Sequence, residues 1–181
     1  MRRLCMVLLA VAVGGCGVPV DAEPRPLDVE LETDVGAAVE GVGDLPEIAE
    51  VYLVSDEHLV PVTREVADGK PETVVLALLQ GPIAAENSLA LRTAIPPETE
   101  VLGVEVLDRV ATVDLSNAFT LVGGDQEILA VAQIVATLSS LDGIDGVRFA
   151  IEGSPRPAPV AAGELADRPL VPGDFESLLV R

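Results

Sequence analysis

Few side chains in this sequence could act together as acids, bases or nucleophiles. His58 is the single histidine and Lys70 the single lysine. A serine or threonine nucleophile needs a neighbouring base of one of these kinds, and no nucleophile-elbow, phosphate-loop or dinucleotide motif is present. His58 follows an acidic turn, where an exposed loop residue is the simplest interpretation. We therefore expect a protein that is not an enzyme and uses no cofactor. A cleft that holds His58 or Lys70 beside paired carboxylates would favour catalysis instead.

The two cysteines lie at the start of the sequence. Arg2-Arg3 precede an apolar run, Leu4 to Val13, that contains Cys5, and Gly14-Gly15 separate this run from Cys16. A basic start, an apolar run too short to span a bilayer and small residues at its end are typical of a cleaved export signal. Because a cysteine follows directly, the segment resembles a bacterial lipoprotein signal. We predict a signal peptide over residues 1–15 and lipidation of Cys16; an ordinary secretory signal and a poor membrane anchor are the alternatives.

This prediction restricts the chemistry and the location of the mature chain. Cleavage removes Cys5 and acylation occupies Cys16, which leaves no cysteine for a disulfide, a thiolate catalyst or a zinc site. The run from Asp142 to Gly146 lacks the alternating acids and closing glutamate of a calcium loop, so we predict no metal site. An N-terminal diacylglyceryl cysteine would attach the protein to the membrane through its lipid chains, on the outer face of the cytoplasmic membrane.

The charge of the chain limits its partners. The 30 Asp and Glu residues outnumber the 11 Lys and Arg residues, which gives a net charge of −19. Nucleic acid and anionic headgroups require clustered basic residues, so we predict no nucleic-acid partner. Arg64 and Arg92 each lie beside a threonine in an extended segment. Ion pairing with nearby acids and contact with a partner protein are both consistent with these two arginines.

Residues 16–50 are rich in acidic residues and are interrupted by prolines. Such a segment cannot bury enough apolar surface to offset the entropy lost on ordering. We predict a disordered tether that holds a folded domain off the membrane. Binding of calcium or of a basic partner by the acidic run is the alternative.

The sequence after the tether alternates between strand and helix patterns. These patterns predict strands over residues 51–54, 59–66 and 147–151 and helices over residues 71–81 and 125–143. Pro61 removes a ladder donor and so places its strand at a sheet edge. The order of elements predicts an α+β fold, a small mainly antiparallel sheet with two helices packed on one face. This domain covers residues 51–153, and a loosely ordered extension covers residues 154–181.

A β-hairpin around Asp108-Arg109 is the strongest structural prediction. The pairs on its apolar face are Val106 with Ala111, Val104 with Val113, and Leu102 with Leu115. The opposite face is polar and suits solvent or a partner, since it pairs Glu105 with Thr112 and Gly103 with Asp114. We therefore assign these candidate partner-contact residues: Arg64, Arg92, Thr93, Glu105, Thr112 and Asp114.

Seven sequence blocks together resemble a known domain. They are Val51-Tyr52-Leu53-Val54, Leu59 to Glu65, Leu78-Leu79-Gln80-Gly81-Pro82, Leu91 to Pro97, Ala111 to Ser116, Ala132-Gln133-Ile134-Val135 and Gly146-Val147-Arg148-Phe149. In this order they resemble the GerMN domain of GerM-type sporulation and spore-germination proteins and of lipoproteins from high-GC Gram-positive bacteria. The resemblance implies a domain similar to the ring-building motifs of secretion and sporulation assemblies. It implies no catalytic residues.

The sequence departs from this family pattern in three ways. It has one copy of the domain where GerM has two, it has no attached propeller of the kind found in kinase-associated lipoproteins, and Pro97-Glu98-Thr99 replaces the usual Pro-Gly-Thr. We expect a lipid-anchored, non-catalytic interaction or assembly module of the cell envelope, of the sporulation, germination or signalling type. Its expected partners are an envelope protein and further copies of itself. A lipoprotein that binds a small ligand or a cell-wall fragment, at the polar hairpin face or near Arg92, is the alternative.

Overall fold

Two long antiparallel strands come first in the computed structural model, which describes residues 45–180: β1 (Glu47–Ser55) and β2 (His58–Val66). Asp56 and Glu57 connect them, and both have the positive φ that a type I′ turn requires. Strand β1 begins four residues before the predicted Val51. Ala49, which the sequence pattern assigned to the tether, is buried in the core.

Within residues 45–180, three α-helices lie between the strands. Helix α1 (Pro71–Leu79) has proline in its first turn, and the chain leaves it at Gly81, whose φ of 68° favours glycine. The short helix α2 (Ala84–Asn87) comes next. Helix α3 (Asp125–Ser139) is the longest of these three, and it begins after Gly123-Gly124 as predicted. The two predicted helices, α1 and α3, are confirmed.

A four-stranded sheet forms the second layer. Its strands lie in the order β3 (Val101–Leu107), β4 (Val110–Leu115), β5 (Gly146–Ile151) and β6 (Ser154–Arg156). Strands β4 and β5 are parallel because the chain crosses over through α3 between them, whereas the other two pairs are antiparallel hairpins. Helix α1 packs against β3 and helix α3 against β5, so both helices cover one face. The α+β fold is therefore confirmed.

The register of the β3–β4 hairpin agrees with the prediction over most of its length. The observed pairs include Val106 with Ala111, Val104 with Val113, Glu105 with Thr112 and Gly103 with Asp114. The predicted pair of Leu102 with Leu115 is wrong, because Leu115 pairs with Val101 instead. The register shifts between Val101 and Gly103, and Leu102 is 47% exposed rather than on the buried face. An extra residue of this kind is a β-bulge.

Strands β1 and β2 form a separate two-stranded sheet because the outer edge of β1 is occupied by other parts of the chain. The backbone N–H and C=O of Val54 pair with those of Arg92, at 2.8 and 2.9 Å. Two residues earlier, the N–H of Tyr52 donates to the Thr137 hydroxyl (3.0 Å), and its C=O accepts from the Gln133 amide (2.8 Å). Helix α3 thus supplies side chains where a further strand would pair.

The position of Pro61 follows from the direction of the backbone groups along β1 and β2, which alternates between the two edges of a strand. Pro61 pairs with Tyr52, whose backbone groups are directed away from β2. The nitrogen of Pro61 therefore faces the outer edge of β2, where its missing N–H removes no ladder hydrogen bond. Because the sheet has two strands, β2 is an edge strand as predicted.

The chain after Gly153 is part of the domain, and the prediction of a loosely ordered extension is wrong. Strand β6 belongs to the main sheet, and β7 (Ala158–Pro159) and β8 (Leu165–Ala166) form a small hairpin. Leu170 pairs with Val147 of β5, and Phe175 is 1% exposed. The physical reason is burial: these apolar side chains complete a core that residues 51–153 alone would leave open.

None of the helices within residues 45–180 is both long enough and apolar enough to span a lipid bilayer. The predicted signal peptide, the lipidated Cys16 and nearly all of the predicted tether lie outside the described residues.

Candidate partner-contact surface

A row of polar side chains crosses the exposed face of the four-stranded sheet. Glu105 of β3 pairs with Thr112 of β4, and Thr112 pairs with Arg148 of β5, so the three side chains lie on the same face. Asp114 lies two residues further along β4 on this face. We call these four residues the polar sheet face. The structure therefore brings together the three candidate residues that the hairpin register predicted, and it adds Arg148.

Arg148 differs from the other basic residues. Within residues 45–180, each of the other Lys and Arg residues makes an ion pair with an acidic side chain. Arg148 is exposed and makes no ion pair or side-chain hydrogen bond with a described residue. In a chain of net charge −19, an arginine without a local acidic partner is free to pair with a carboxylate of another molecule.

Asp114 has a structural role within this face. Its carboxylate accepts a hydrogen bond from the backbone N–H of Gly153 (3.0 Å) and so holds the turn between β5 and β6. Glu152 and Gly153 in that turn both have positive φ. Glu105 is exposed, and Thr112 is half-buried between its two neighbours.

Arg92 and Thr93 lie away from the polar sheet face, beside the outer edge of β1. The Arg92 guanidinium donates to Glu57 (2.5 Å) and to the side-chain carbonyl of Gln126 (3.3 Å). The Thr93 hydroxyl donates to Gln133 (3.4 Å) and accepts from a backbone N–H. A shallow pocket of about 180 Å³ lies nearby and is lined in part by Glu57, but Arg92 does not line it. The side chains of Arg92 and Thr93 thus make their hydrogen bonds to other residues of the domain.

Arg64 is buried, which does not fit the partner-contact role predicted for it. The structure instead shows the alternative, an ion pair with a nearby acidic residue. The Arg64 guanidinium forms a bidentate ion pair with Glu86. It also donates to the carbonyl oxygens of Ala77 (2.5 Å) and Gly81 (2.8 Å), which lie at the end of α1. Glu86 in turn accepts from the backbone N–H of Ile83 (2.8 Å), just before α2. One buried pair therefore satisfies backbone groups at two helix ends.

The environment of Glu86 keeps it ionised. Burial alone would raise the pKa of this carboxyl group. The hydrogen bond from Arg64, the N–H of Ile83 and the positive charge of the guanidinium outweigh burial and lower the pKa below its ordinary value of 4.5. Because folding lowers the pKa of this carboxyl group, its ionised form stabilises the folded state at every pH above the pKa of the unfolded state. This stabilisation is lost as the pH falls through the lower pKa of the folded state.

We therefore predict how the Glu86→Gln variant depends on pH. At neutral pH it should be less stable than the wild type, because Arg64 loses its charged partner. The difference in free energy of unfolding should stay constant above about pH 5 and narrow as the pH falls from 4.5, the unfolded pKa, toward the lower folded pKa, below which Glu86 is neutral in both states. Urea unfolding at pH 7, 4.5 and 3 measures this difference. Glu65→Gln, on the exposed side of β2, is the control and should differ little from the wild type at each pH.

The residues that could do acid–base chemistry are not brought together. His58 begins β2, where its Nδ1 lies 2.8 Å from the carbonyl oxygen of Asp56, and Lys70 follows the other end of the strand and pairs with Asp68 (2.6 Å). The rise of a strand separates the two ends of β2 by roughly 25 Å. Partial burial and a hydrogen bond to Glu50 raise the pKa of Tyr52 to about 12. Within the described residues no group of three or more His, Cys, Asp or Glu side chains could hold a metal ion.

Comparison with known proteins identifies the domain. The family model described as "Germane: Sporulation and spore germination" matches residues 49–157, which is more than half of the chain. The chain belongs to the Germane family. Apart from the first two residues of β1, strands β1 to β6 and the polar sheet face lie within the matched Germane domain. No curated protein sequence matches the chain.

Two solved structures have the same fold as this Germane domain. The first GerMN domain of the sporulation protein GerM from Bacillus subtilis is 26% identical, with a TM-score of 0.56, and the match covers 69% of this chain and 97% of that one. The tandem GerMN domains of the same protein are 23% identical, with a TM-score of 0.58 over 72% of this chain. The match covers 48% of that tandem chain, so the Germane chain spans about half its length.

The structure explains one departure from the family pattern. Glu98 replaces the usual glycine in a turn that the Thr99 N–H closes by donating to the carbonyl oxygen of Pro96 (3.1 Å). Glu98 is not among the residues with positive φ, so this turn does not require glycine.

Sequence reasoning did not assign a role to Arg148, although a signal for it was present. The alternation of β5 places Arg148 on the exposed side, between the buried Val147 and Phe149. What the alternation does not show is that β5 pairs in parallel with β4. That pairing, made through α3, places Arg148 beside Thr112.

Proposed function

We propose that this Germane-family protein is a lipid-anchored, non-catalytic interaction module on the outer face of the cytoplasmic membrane. In this proposal Cys16 carries the lipid, the acidic segment before β1 spaces the domain from the membrane, and an envelope protein binds the folded domain. The family description and the sporulation role printed for GerM support a role of the sporulation or germination type.

Arg148 is the observation that carries this proposal. A solvent-exposed arginine that lacks an acidic partner, next to Thr112 and Glu105 on an ordered sheet face, offers a partner both a positive and a negative contact. Charged pairs across an interface select the partner and its orientation more than they add affinity. The expected partner therefore presents a carboxylate opposite Arg148 and a basic group opposite Glu105.

Self-association is a second mode that we propose for the same domain. Strand β3 is the outer strand of the four-stranded sheet, and Leu102 and Leu107 on it are 47% and 75% exposed. An edge strand with exposed apolar side chains can pair with a second copy. Sedimentation of the purified chain over a range of concentrations distinguishes this mode from binding to a different protein.

The anchoring part of the proposal is tested by fractionation of cells that produce the wild type or Cys16→Ala. We expect the wild type in the membrane fraction and Cys16→Ala released from it, because durable attachment depends on the acyl chains. The partner is then sought by crosslinking in intact membranes followed by pull-down. The proposal is overturned if the wild type recovers no envelope protein above the Cys16→Ala control.

A further inference from the structure

A cleft of about 190 Å³ opens at the outer edge of β5. At this edge Val147 pairs with Leu170, and from Phe149 onward β5 pairs with β6. The lining of the cleft is partly apolar and partly charged. Among its apolar residues, Pro155 is exposed and Ala166 half-buried, whereas Phe149 and Leu170 are buried. Thr112 and Arg148 of the polar sheet face line it as well. This combination of apolar walls and a few polar groups is typical of small-molecule sites.

Two of the three arginines in this cleft are already neutralised. Arg156 donates to Glu127 of α3 (2.8 Å). Arg168 donates to both carboxylate oxygens of Asp174 (2.8 and 2.6 Å). These two arginines therefore contribute little net charge to a ligand in the cleft.

The two charges that remain are of opposite sign. Arg148 and Asp167 both line the cleft, both are exposed, and neither side chain makes an ion pair or hydrogen bond with a described residue. They also do not pair with each other. A doubly charged anion such as phosphate would gain from Arg148 and be repelled by Asp167. A ligand with a carboxylate at one end and an ammonium at the other would satisfy both.

We propose that this cleft binds a small zwitterion, an α-amino acid with an apolar side chain. Arg148 holds the carboxylate, since a guanidinium matches the two oxygens of a carboxylate in a bidentate geometry. Asp167 holds the ammonium group, and the apolar side chain of the ligand lies against Pro155 and Ala166. This binding shares Arg148 with the proposed envelope contact and differs from it in using Asp167, which lies outside the polar sheet face.

The test is isothermal titration calorimetry on the full chain purified in detergent, with leucine as the probe. Three further probes each remove or replace one feature: N-acetylleucine lacks the ammonium group, leucinamide lacks the carboxylate, and inorganic phosphate is a plain oxyanion. We expect leucine to bind and the first two analogues to bind about 10- to 100-fold more weakly, the loss typical of one charged hydrogen-bonded group. Arg148→Gln and Asp167→Asn should each weaken leucine binding by a similar factor.

Matched variants separate this inference from the proposed function. Arg109→Gln removes an exposed arginine on the turn before β4, which does not line the cleft, and should leave leucine binding unchanged. Glu105→Arg should impair binding of an envelope protein and leave leucine binding intact, whereas Asp167→Asn should do the reverse. Circular dichroism confirms that each variant is folded.

Three results would overturn the inference. Leucine that fails to bind excludes the site. Equal affinity for leucine and N-acetylleucine shows that Asp167 takes no part in recognition. Tighter binding of inorganic phosphate than of leucine assigns the cleft to oxyanions instead.

Discussion

Replacing Arg64 with alanine is expected to lower the free energy of unfolding by about 3–5 kcal/mol, the range typical of breaking a buried ion pair from one side. Glu86 would remain in the core without its charged partner, at 9% side-chain exposure. The carbonyl oxygens of Ala77 and Gly81 would also lose their donor at the end of α1. Urea unfolding at neutral pH measures the change.

A matched control separates the effect of losing a buried arginine from the effect of losing a positive charge. Arg109→Ala removes an arginine that pairs with Asp145 at the surface, where both side chains are more than half exposed. Surface ion pairs contribute little to stability, so this variant should unfold close to the wild type. If Arg64→Ala were no less stable than Arg109→Ala, the structural role assigned to Arg64 would be contradicted.

A second large effect is expected from Gln133→Leu in α3. Gln133 is fully buried, donates to the carbonyl oxygen of Tyr52 and accepts from the backbone N–H of Ala94 (2.8 Å each). Leucine has a similar size but satisfies neither group. Each buried backbone group left without a partner costs about 1–3 kcal/mol, so for two such groups we expect a loss of about 2–6 kcal/mol in the free energy of unfolding.

Hydrogen exchange gives this second prediction a local readout. The amide of Ala94 should exchange faster in Gln133→Leu than in the wild type, beyond what the global loss of stability accounts for. Gln126→Leu, an exposed position on the same helix, is the control and should change the free energy of unfolding by no more than about 0.5 kcal/mol. Unchanged stability and unchanged exchange at Ala94 would contradict the structural role assigned to the buried Gln133 side chain.

The parts of the fold that could be predicted from the sequence depend on local rules. The β3–β4 register follows from period-2 alternation, and a slip of one residue would expose the buried face. Helices α1 and α3 follow from Pro71 and from the glycines that precede or end them. One extra residue, Leu102, was enough to break the register at the far end, because a bulge has no clear signal in alternation alone.

The parts that could not be predicted depend on contacts between distant residues. Arg64 and Glu86 are 22 residues apart, and nothing local distinguishes an arginine that will be buried from one that will be exposed. The edge of β1 is closed by Gln133, 81 residues after Tyr52. Leu170 and Phe175 follow a proline-rich stretch that reads as loop, yet both are core residues. In each case tertiary packing decides the outcome.

The same distinction applies to the candidate surface. Glu105, Thr112 and Asp114 could be placed on one face because a single hairpin holds them. Arg148 could not be added from the sequence, because its position depends on the parallel β4–β5 pairing. Arg148, on which the proposed function rests, is therefore the residue of this face that could be placed only with the structure.

The most direct test of the central claim is site-specific photocrosslinking in intact membranes from position 105. A photoreactive residue replaces Glu105, and position 72, exposed on α1, serves as the control. We expect one envelope protein to crosslink from position 105 and not from position 72, with the yield greatly reduced by Arg148→Glu and preserved by Arg109→Glu. Equal crosslinking from both positions, or a yield that Arg148→Glu leaves unchanged, would contradict the assignment of the polar sheet face as the contact surface.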